Sequence, residues 1–400
     1  MKGVDDMDRS MMSINKEAMF SFVRNMLFSD KTCLIYDHVI KEREKDLPTP
    51  EEICLTFPNP CGYSTGMEDG MINGGTMIDA CLIKYELEND EAAADFAKKI
   101  MKGMLKCAFS SKSEGFLPRA VSIEDGVSHY PDSSRDQYTM FAFGIHRYML
   151  SALCTDAERE EIARAAVGIA RRAEQNVTLK NKYDMLTDDG GPTIVTTMWG
   201  DTLCNHEFIR LPMLYLVAYE ASGDSCWLQK YQDIREEAYN KSLPMTNYWA
   251  LYTLQQMQAS ILVCYDVDPD EKWKKRYLCL MNEVADYTES IVDRVREKME
   301  FHQNYNAPQA SFRKLDRKPA ERFIELGYTE ALSIQRPDSS DFFALQDCAQ
   351  LSIITKLVPN RNLAKSVADL LFDGFSMIDL SVHERNLPLF FLAGYYRSLL

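Results

Sequence analysis

Residues Thr246 to Tyr265 read TNYWALYTLQQMQASILVCY and carry no charged side chain, whereas Glu271 to Glu297 (EKWKKRYLCLMNEVADYTESIVDRVRE) carry twelve. A helix that is uncharged on every side has to be buried, and one with a charged face covers the outside of a domain. The pair therefore predicts an inner helix followed by its outer cover. The alternation recurs along the chain. NGGTMIDACLIKYELEN (73–89) precedes EAAADFAKKIMKGMLKCAF (91–109), and DQYTMFAFGIHRYMLSAL (136–153) precedes AEREEIARAAVGIARRAEQN (157–176). LPMLYLVAYEAS (211–222) precedes SCWLQKYQDIREEAYNKS (225–242), and DFFALQDCAQLSIITKL (341–357) precedes NRNLAKSVADLLFDGF (360–375). An opening helix over Ile14–Phe28 and a last one over Leu387–Leu400 bring the expected number to twelve. Six helical hairpins in one all-α domain spanning 1–400 close most simply into an (α/α)6 toroid.

The connections sort onto two faces. Inner-to-outer turns are short and rich in turn residues, as at Glu88-Asn89-Asp90, Ser222-Gly223-Asp224, Asp268-Pro269-Asp270 and Pro359-Asn360. Outer-to-inner connections are long: Thr56–Ile72, Ser110–Ser134, Asn176–Leu211 and Lys298–Ser340. Loops of that length in a compact domain are usually functional, and all of them fall on the rim made by the inner-helix N-termini. Leu211-Pro212, Leu243-Pro244 and Leu387-Pro388 each stand where an inner helix is expected to begin, since proline suits the first helical position. The tetrapeptide Pro-Asp-Ser-Ser occurs at 131–134 and again at 337–340, each time before an inner helix, as N-cap chemistry and as a sign of internal repetition.

Composition excludes several classes. With 46% hydrophobic residues and a formal net charge of −15, the chain has material for a large core but no basic stripe for nucleic acid and no affinity for anionic lipid. No apolar run is long enough to span a bilayer. The acidic N-terminus lacks the apolar stretch of a signal peptide, and the eleven cysteines show no paired spacing, so a cytoplasmic protein with reduced thiols is expected. Phosphate-loop, dinucleotide-fold, HExxH and GxSxG patterns are absent, and no His/Cys spacing demands a metal. Neither metal nor cofactor is expected. His206-Glu207 and His383-Glu384 precede two inner helices and would face each other across a closed ring, which leaves a metal site open as a minor alternative.

Three segments, Asp69-Gly70 running into Asn73-Gly74-Gly75, Gly115-Phe116-Leu117-Pro118-Arg119, and Ser134-Arg135-Asp136-Gln137 at a helix start, accompany this architecture. With them the chain resembles the six-hairpin glycosidase superfamily, the toroids of many glycoside hydrolases, unsaturated glucuronyl hydrolases and some polysaccharide lyases. The resemblance spans nearly the whole chain and is mainly architectural. It implies a substrate cleft at the inner-helix N-termini and catalysis by paired Asp or Glu on those loops.

Asp136 is the first candidate, because the helix dipole stabilises an anion in the first turn. Asp69 is its expected partner, with Glu68 beside it, since a glycosidase needs one protonated and one ionised carboxyl. Asp341 repeats the local setting of Asp136. The loop TMWGDTLCNHEFIR (197–210) gathers Trp199, Asn205, His206, Glu207 and Arg210, and Trp249, His302 and Tyr305 extend the same rim chemistry of rings that stack on sugars and groups that bind hydroxyls. Arg119, Arg135, Arg210 and Arg336, with Gln137 and His383, complete the binding set; three of the arginines would suit the carboxylate of a uronic acid. Helix capping, ion pairing and core packing are the competing readings for each of these residues. The expected function is hydrolysis of a small oligosaccharide. The rivals are a lyase using His206 with Tyr305 or Tyr130, a sugar epimerase, and a carbohydrate-binding protein without catalysis.

Overall fold

The computed structural model describes residues 15–40, 46–245, 250–302, 304–306, 311–314 and 340–400. Helix α1 covers residues 15–22 and runs into a π-helical turn at Val23–Leu27. A short antiparallel pair follows, β1 (Phe28–Ser29) with β2 (Leu34–Ile35), then α2 (Pro50–Cys54). Apart from that pair and two isolated bridges, the described regular structure is helical. No described helix is long and apolar enough to cross a membrane.

The charge-poor helices are α3 (Gly70–Glu88), α5 (Arg135–Leu150), α7 (Arg210–Ser222), α9 (Leu251–Val267), α12 (Ser340–Lys356) and α14 (Leu387–Ser398). Their charge-rich followers are α4 (Glu91–Ala108), α6 (Asp156–Asn176), α8 (Ser225–Lys241), α10 (Glu271–Ser290) with α11 (Val292–Phe301), and α13 (Lys365–Ser376). Helix α3 packs on α5, α5 on α7, α7 on α9, α9 on α12, α12 on α14, and α14 back on α3. The followers lie against them, as α4 on α3, α8 on α7, α10 on α9 and α13 on α12. One cluster of buried apolar side chains extends from Met19 to Tyr396.

The tight turns have a common cause. Helix α3 stops at Asn89 and α7 at Gly223, both in the left-handed conformation that ends a helix. The next residue, Asp90 or Asp224, immediately caps the following helix by accepting a backbone N–H. Asp270 does the same for α10, and Thr155 with Glu158 forms a capping box on α6. Gly75 permits a close approach of α3 to α5: a Cβ there would lie 2.1 Å from the Met140 carbonyl oxygen.

Four local expectations are affected. The charged run from Glu271 is not one helix but two, divided at Ile291. Leu243-Pro244 is a cis peptide in a non-helical stretch, and α9 begins only at Leu251. The helix expected from Asn360 starts at Lys365, after an extended Ala364, and Asn360 itself is left-handed. The second Pro-Asp-Ser-Ser lies outside the described residues up to Ser339. By contrast, Pro388 does lie in the first turn of α14, and Ser134 caps α5 by accepting from the Gln137 N–H.

Candidate active site

The long loops and the N-terminal ends of α3, α5, α7, α9, α12 and α14 border one cavity of about 570 Å³. Asp69, Asp136, His206 and Asp341 all line it, with Glu68, Arg119, Arg135, Glu207, Arg210 and Tyr305. Gln137, Trp199, Asn205, His302 and His383 do not. Trp199 packs edge-on against Phe208, and Asn205 donates to the Pro244 carbonyl. His383 shares a hydrogen bond with Asn306 beside Phe22. Among the described residues no group of three or more His, Cys, Asp or Glu is arranged to hold a metal. Trp249 and Arg336 lie outside the described residues.

Asp136 sits in the first turn of α5 with 27% of its side chain exposed. It is paired with Arg210, which is buried at the start of α7. Burial would push the Asp136 carboxyl up, but Arg210, helped by Arg135 and Arg119, overrides it and holds the group below the usual carboxylate range. Arg135 in turn donates to the Thr197 carbonyl and pairs with Glu207, whose other oxygen accepts from the Cys204 N–H at 2.7 Å. These partners fix the guanidinium groups on protein oxygens.

Asp69 occupies the N-cap position of α3 yet makes no cap bond there. Gln137 of α5 acts as the cap instead, its amide oxygen accepting from the Met71 N–H at 3.1 Å. Its NH2 group donates to the Glu68 carbonyl at 2.9 Å and to Asp69 Oδ1 at 3.1 Å. The Asp69 carboxyl, 37% exposed, therefore turns to the cavity, with Arg119 Nη1 at 3.8 Å. Arg119 is buried and donates to the Glu68 and Ser133 carbonyls and to the Tyr63 hydroxyl, over whose ring it also lies.

Asp37 is a member of the site that sequence reasoning misses. It is buried just after the β1–β2 pair and accepts four N–H bonds: from Glu68 and Asp69 backbone at 2.9 and 3.0 Å, and from Asn73 and Asn386 at 2.7 and 3.2 Å. Burial, then the Asp69 and Glu68 carboxyls beside it, push Asp37 well above the usual range, against those donors. Three carboxyl groups thus crowd one part of the lining beside Arg119, while Arg210 and Arg135 flank Asp136.

His206 is buried, and burial together with Arg210 and Arg135 pushes it down to about 3 despite Asp136, so the ring is neutral at physiological pH. Asp341, in the first turn of α12, meets His302 Nδ1 at 2.5 Å. Tyr305 donates its hydroxyl to the Met299 carbonyl, and burial pushes its pKa up. Sequence reasoning also misses the far wall, where Gln255, Gln256, Gln346 and Gln350 are buried among Tyr252, Phe342 and Phe343. The run Gln255-Gln256-Met257-Gln258 inside a charge-free helix is the signal that could have found it.

No family model matches the chain, and neither a curated protein nor a solved structure does.

Proposed function

We propose that this chain is a carbohydrate-active enzyme, a glycoside hydrolase that cleaves an oligosaccharide in the cavity described above, and that its helices form an (α/α)6 toroid in a single domain. The toroid is supported by the order of packing, since the succession α3, α5, α7, α9, α12, α14 returns to α3. The N-terminal ends of those same six helices border the cavity.

The observation that carries the hydrolase reading is the opposite electrostatic setting of two carboxyl groups on one cavity. Asp136 is kept ionised by Arg210 and its neighbours. On the same cavity burial and the neighbouring Asp69 and Glu68 carboxyls push Asp37 well up, and Asp69 is the carboxyl beside it that is presented to the cavity by its Gln137 and Arg119 contacts. Pairs of titratable groups whose environments drive them apart define an acid and a base. Asp69 is then the proton donor to the leaving oxygen, and Asp136 is the anion that activates water or attacks the sugar carbon. Asp341, held by His302, is a further polar group of the lining.

The lyase alternative loses ground on particular residues. A base that abstracts a proton must accept it near neutral pH. His206 is pushed down to about 3, and the hydroxyls of Tyr305 and Tyr130 are held by carbonyl oxygens with burial raising both.

The test is incubation with a glycan panel while following both new reducing ends and the ultraviolet absorbance of an unsaturated uronide. Reducing ends without that absorbance, lost at least about a hundredfold in Asp136→Asn, are expected. Full activity in both Asp136→Asn and Asp69→Asn would remove the site assignment. Unsaturated product would transfer the chain to the lyases, and saturable sugar binding without turnover to the binding proteins.

A further inference from the structure

The wall of the cavity formed by α9 and α12 has a chemistry of its own. From α9 it receives Tyr252, Gln255 and Gln256, and from α12 Phe342, Phe343, Gln346 and Gln350. The spacings of three and four put each set on one face of its helix. All four glutamines are buried, and no described lysine or arginine comes from either helix to this wall. The amide oxygens of Gln255, Gln256 and Gln346 find no hydrogen-bond partner among the described residues. Gln258, one turn away and off the cavity, also leaves its amide oxygen without a partner among the described residues, while its NH2 group donates to the Met281 and Ile354 carbonyls and ties α9 to α10 and α12.

A buried amide oxygen without a donor is unfavourable, and a fold retains a set of them at a cavity wall when a ligand supplies the donors. The missing partner here is a group of neutral O–H or N–H donors that can also accept from the amide NH2. Tyr252 and Phe343, with ring centroids 6.3 Å apart and planes tilted by 34°, flank that surface and suit the apolar face of a ring. A carboxylate does not fit. It would face acceptor oxygens, with Asp341 at the same end of α12. The guanidinium groups of Arg119, Arg135 and Arg210 are bonded to Tyr63 and carbonyls, to Glu207, and to Asp136, although the Nε–H groups of Arg135 and Arg210 find no partner among the described residues. The fourth cavity arginine, Arg385, lies over the Phe342 ring, 3.8 Å from its centroid. Six acidic side chains against four arginines line the cavity among the described residues, which further disfavours an anion.

We propose that the wall made by α9 and α12 is a subsite for an uncharged sugar ring, whose hydroxyls pair with Gln255, Gln256, Gln346 and Gln350 and whose face rests on Tyr252 and Phe343. The substrate class is therefore a neutral oligosaccharide rather than a uronic-acid one. This rests on the carbohydrate reading of the site. Amides that hydrogen-bond a substrate hydroxyl reject analogues that cannot complete the pairing.

The experiment is calorimetric binding of thio-linked, uncleavable neutral disaccharides and their matched aldobiouronic acids to the wild-type protein, then to Gln256→Leu and Gln346→Leu. A neutral disaccharide is expected to bind at least about tenfold tighter than its uronic match, and each folded variant to lose about tenfold of that affinity. Equal or tighter binding of the uronic partner overturns the proposal, as does unchanged neutral binding in folded variants. The wild-type preference decides the matter if the variants fail to fold. Neutral binding with no hydrolysis of the oxygen-linked disaccharides supports the subsite and overturns only the hydrolase reading. Absence of binding by every panel member overturns both.

Discussion

At the scale of single residues, the pairing of Asp136 with Arg210 sets the ionisation on which the proposed chemistry depends. Replacing Arg210 with Met removes the main opponent of burial, so the Asp136 carboxyl rises. A base works above its pKa, and the acidic limb of the pH–rate profile for kcat/KM should therefore move to higher pH, by about one unit or more. An unmoved limb would separate Asp136 from the rate. Such residues are legible in the sequence because each is an acid or an imidazole on a rim loop or at an expected helix start, Asp69 and His206 in the first setting and Asp136 and Asp341 in the second. Asp37 is not legible. It follows a two-residue strand with no helical period, and its partners Asn73 and Asn386 are brought to it only by tertiary packing. By type and position the arginines suggest ligand groups, yet Arg119, Arg135 and Arg210 are bound by protein oxygens, a distinction that requires coordinates. The glutamine wall is hidden because the absence of charge marks a helix as buried without showing which face meets a cavity.

At the scale of elements, the helix ends away from the cavity are joined by buried charges. His146 of α5 meets Glu220 of α7 at 2.8 Å and Asp266 of α9 at 3.2 Å, and it is fully buried. Burial alone would lower its pKa, but the two carboxylates raise it from 6.5 to about 9. A group whose pKa is raised on folding contributes stability that is complete below the unfolded value and is lost as pH rises through the folded one. The contribution is about 3 kcal/mol, present below pH 6.5 and fading toward pH 9. Urea unfolding between pH 6 and 9.5 should show this decline in the wild type, with a flatter profile in His146→Gln. Parallel profiles would place the charge elsewhere. Asp79 of α3 similarly pairs with Arg147 of α5 and Arg397 of α14. The existence and order of the helices are readable, since charge-free and charged segments alternate. Their boundaries are not: the break at Ile291 falls among the weaker helix formers Thr288, Ser290, Ile291 and Val292, and Asn360 takes a left-handed conformation that Asn tolerates, local signals too weak to fix a helix end from sequence.

At the scale of the whole molecule, the packing order and the network around Asp37 meet at one seam. Asn386, just before α14, donates to Asp37 and Asn73, so the last helix is tied to the first loop beside the acidic group of the cavity. In the proposed hydrolysis Asp69 is the acid and Asp136 the anionic partner, and leaving-group dependence separates the two roles. Once a cleaved panel member has identified the sugar, its aryl glycosides are made with poor and with good leaving groups. Hydrolysis by Asp69→Asn should fall about a hundredfold or more for the poor leaving group and recover largely for the good one, because a good leaving group needs no proton. Asp136→Asn should stay impaired with both. Full activity of both variants, or recovery in Asp136→Asn and not in Asp69→Asn, would contradict the account.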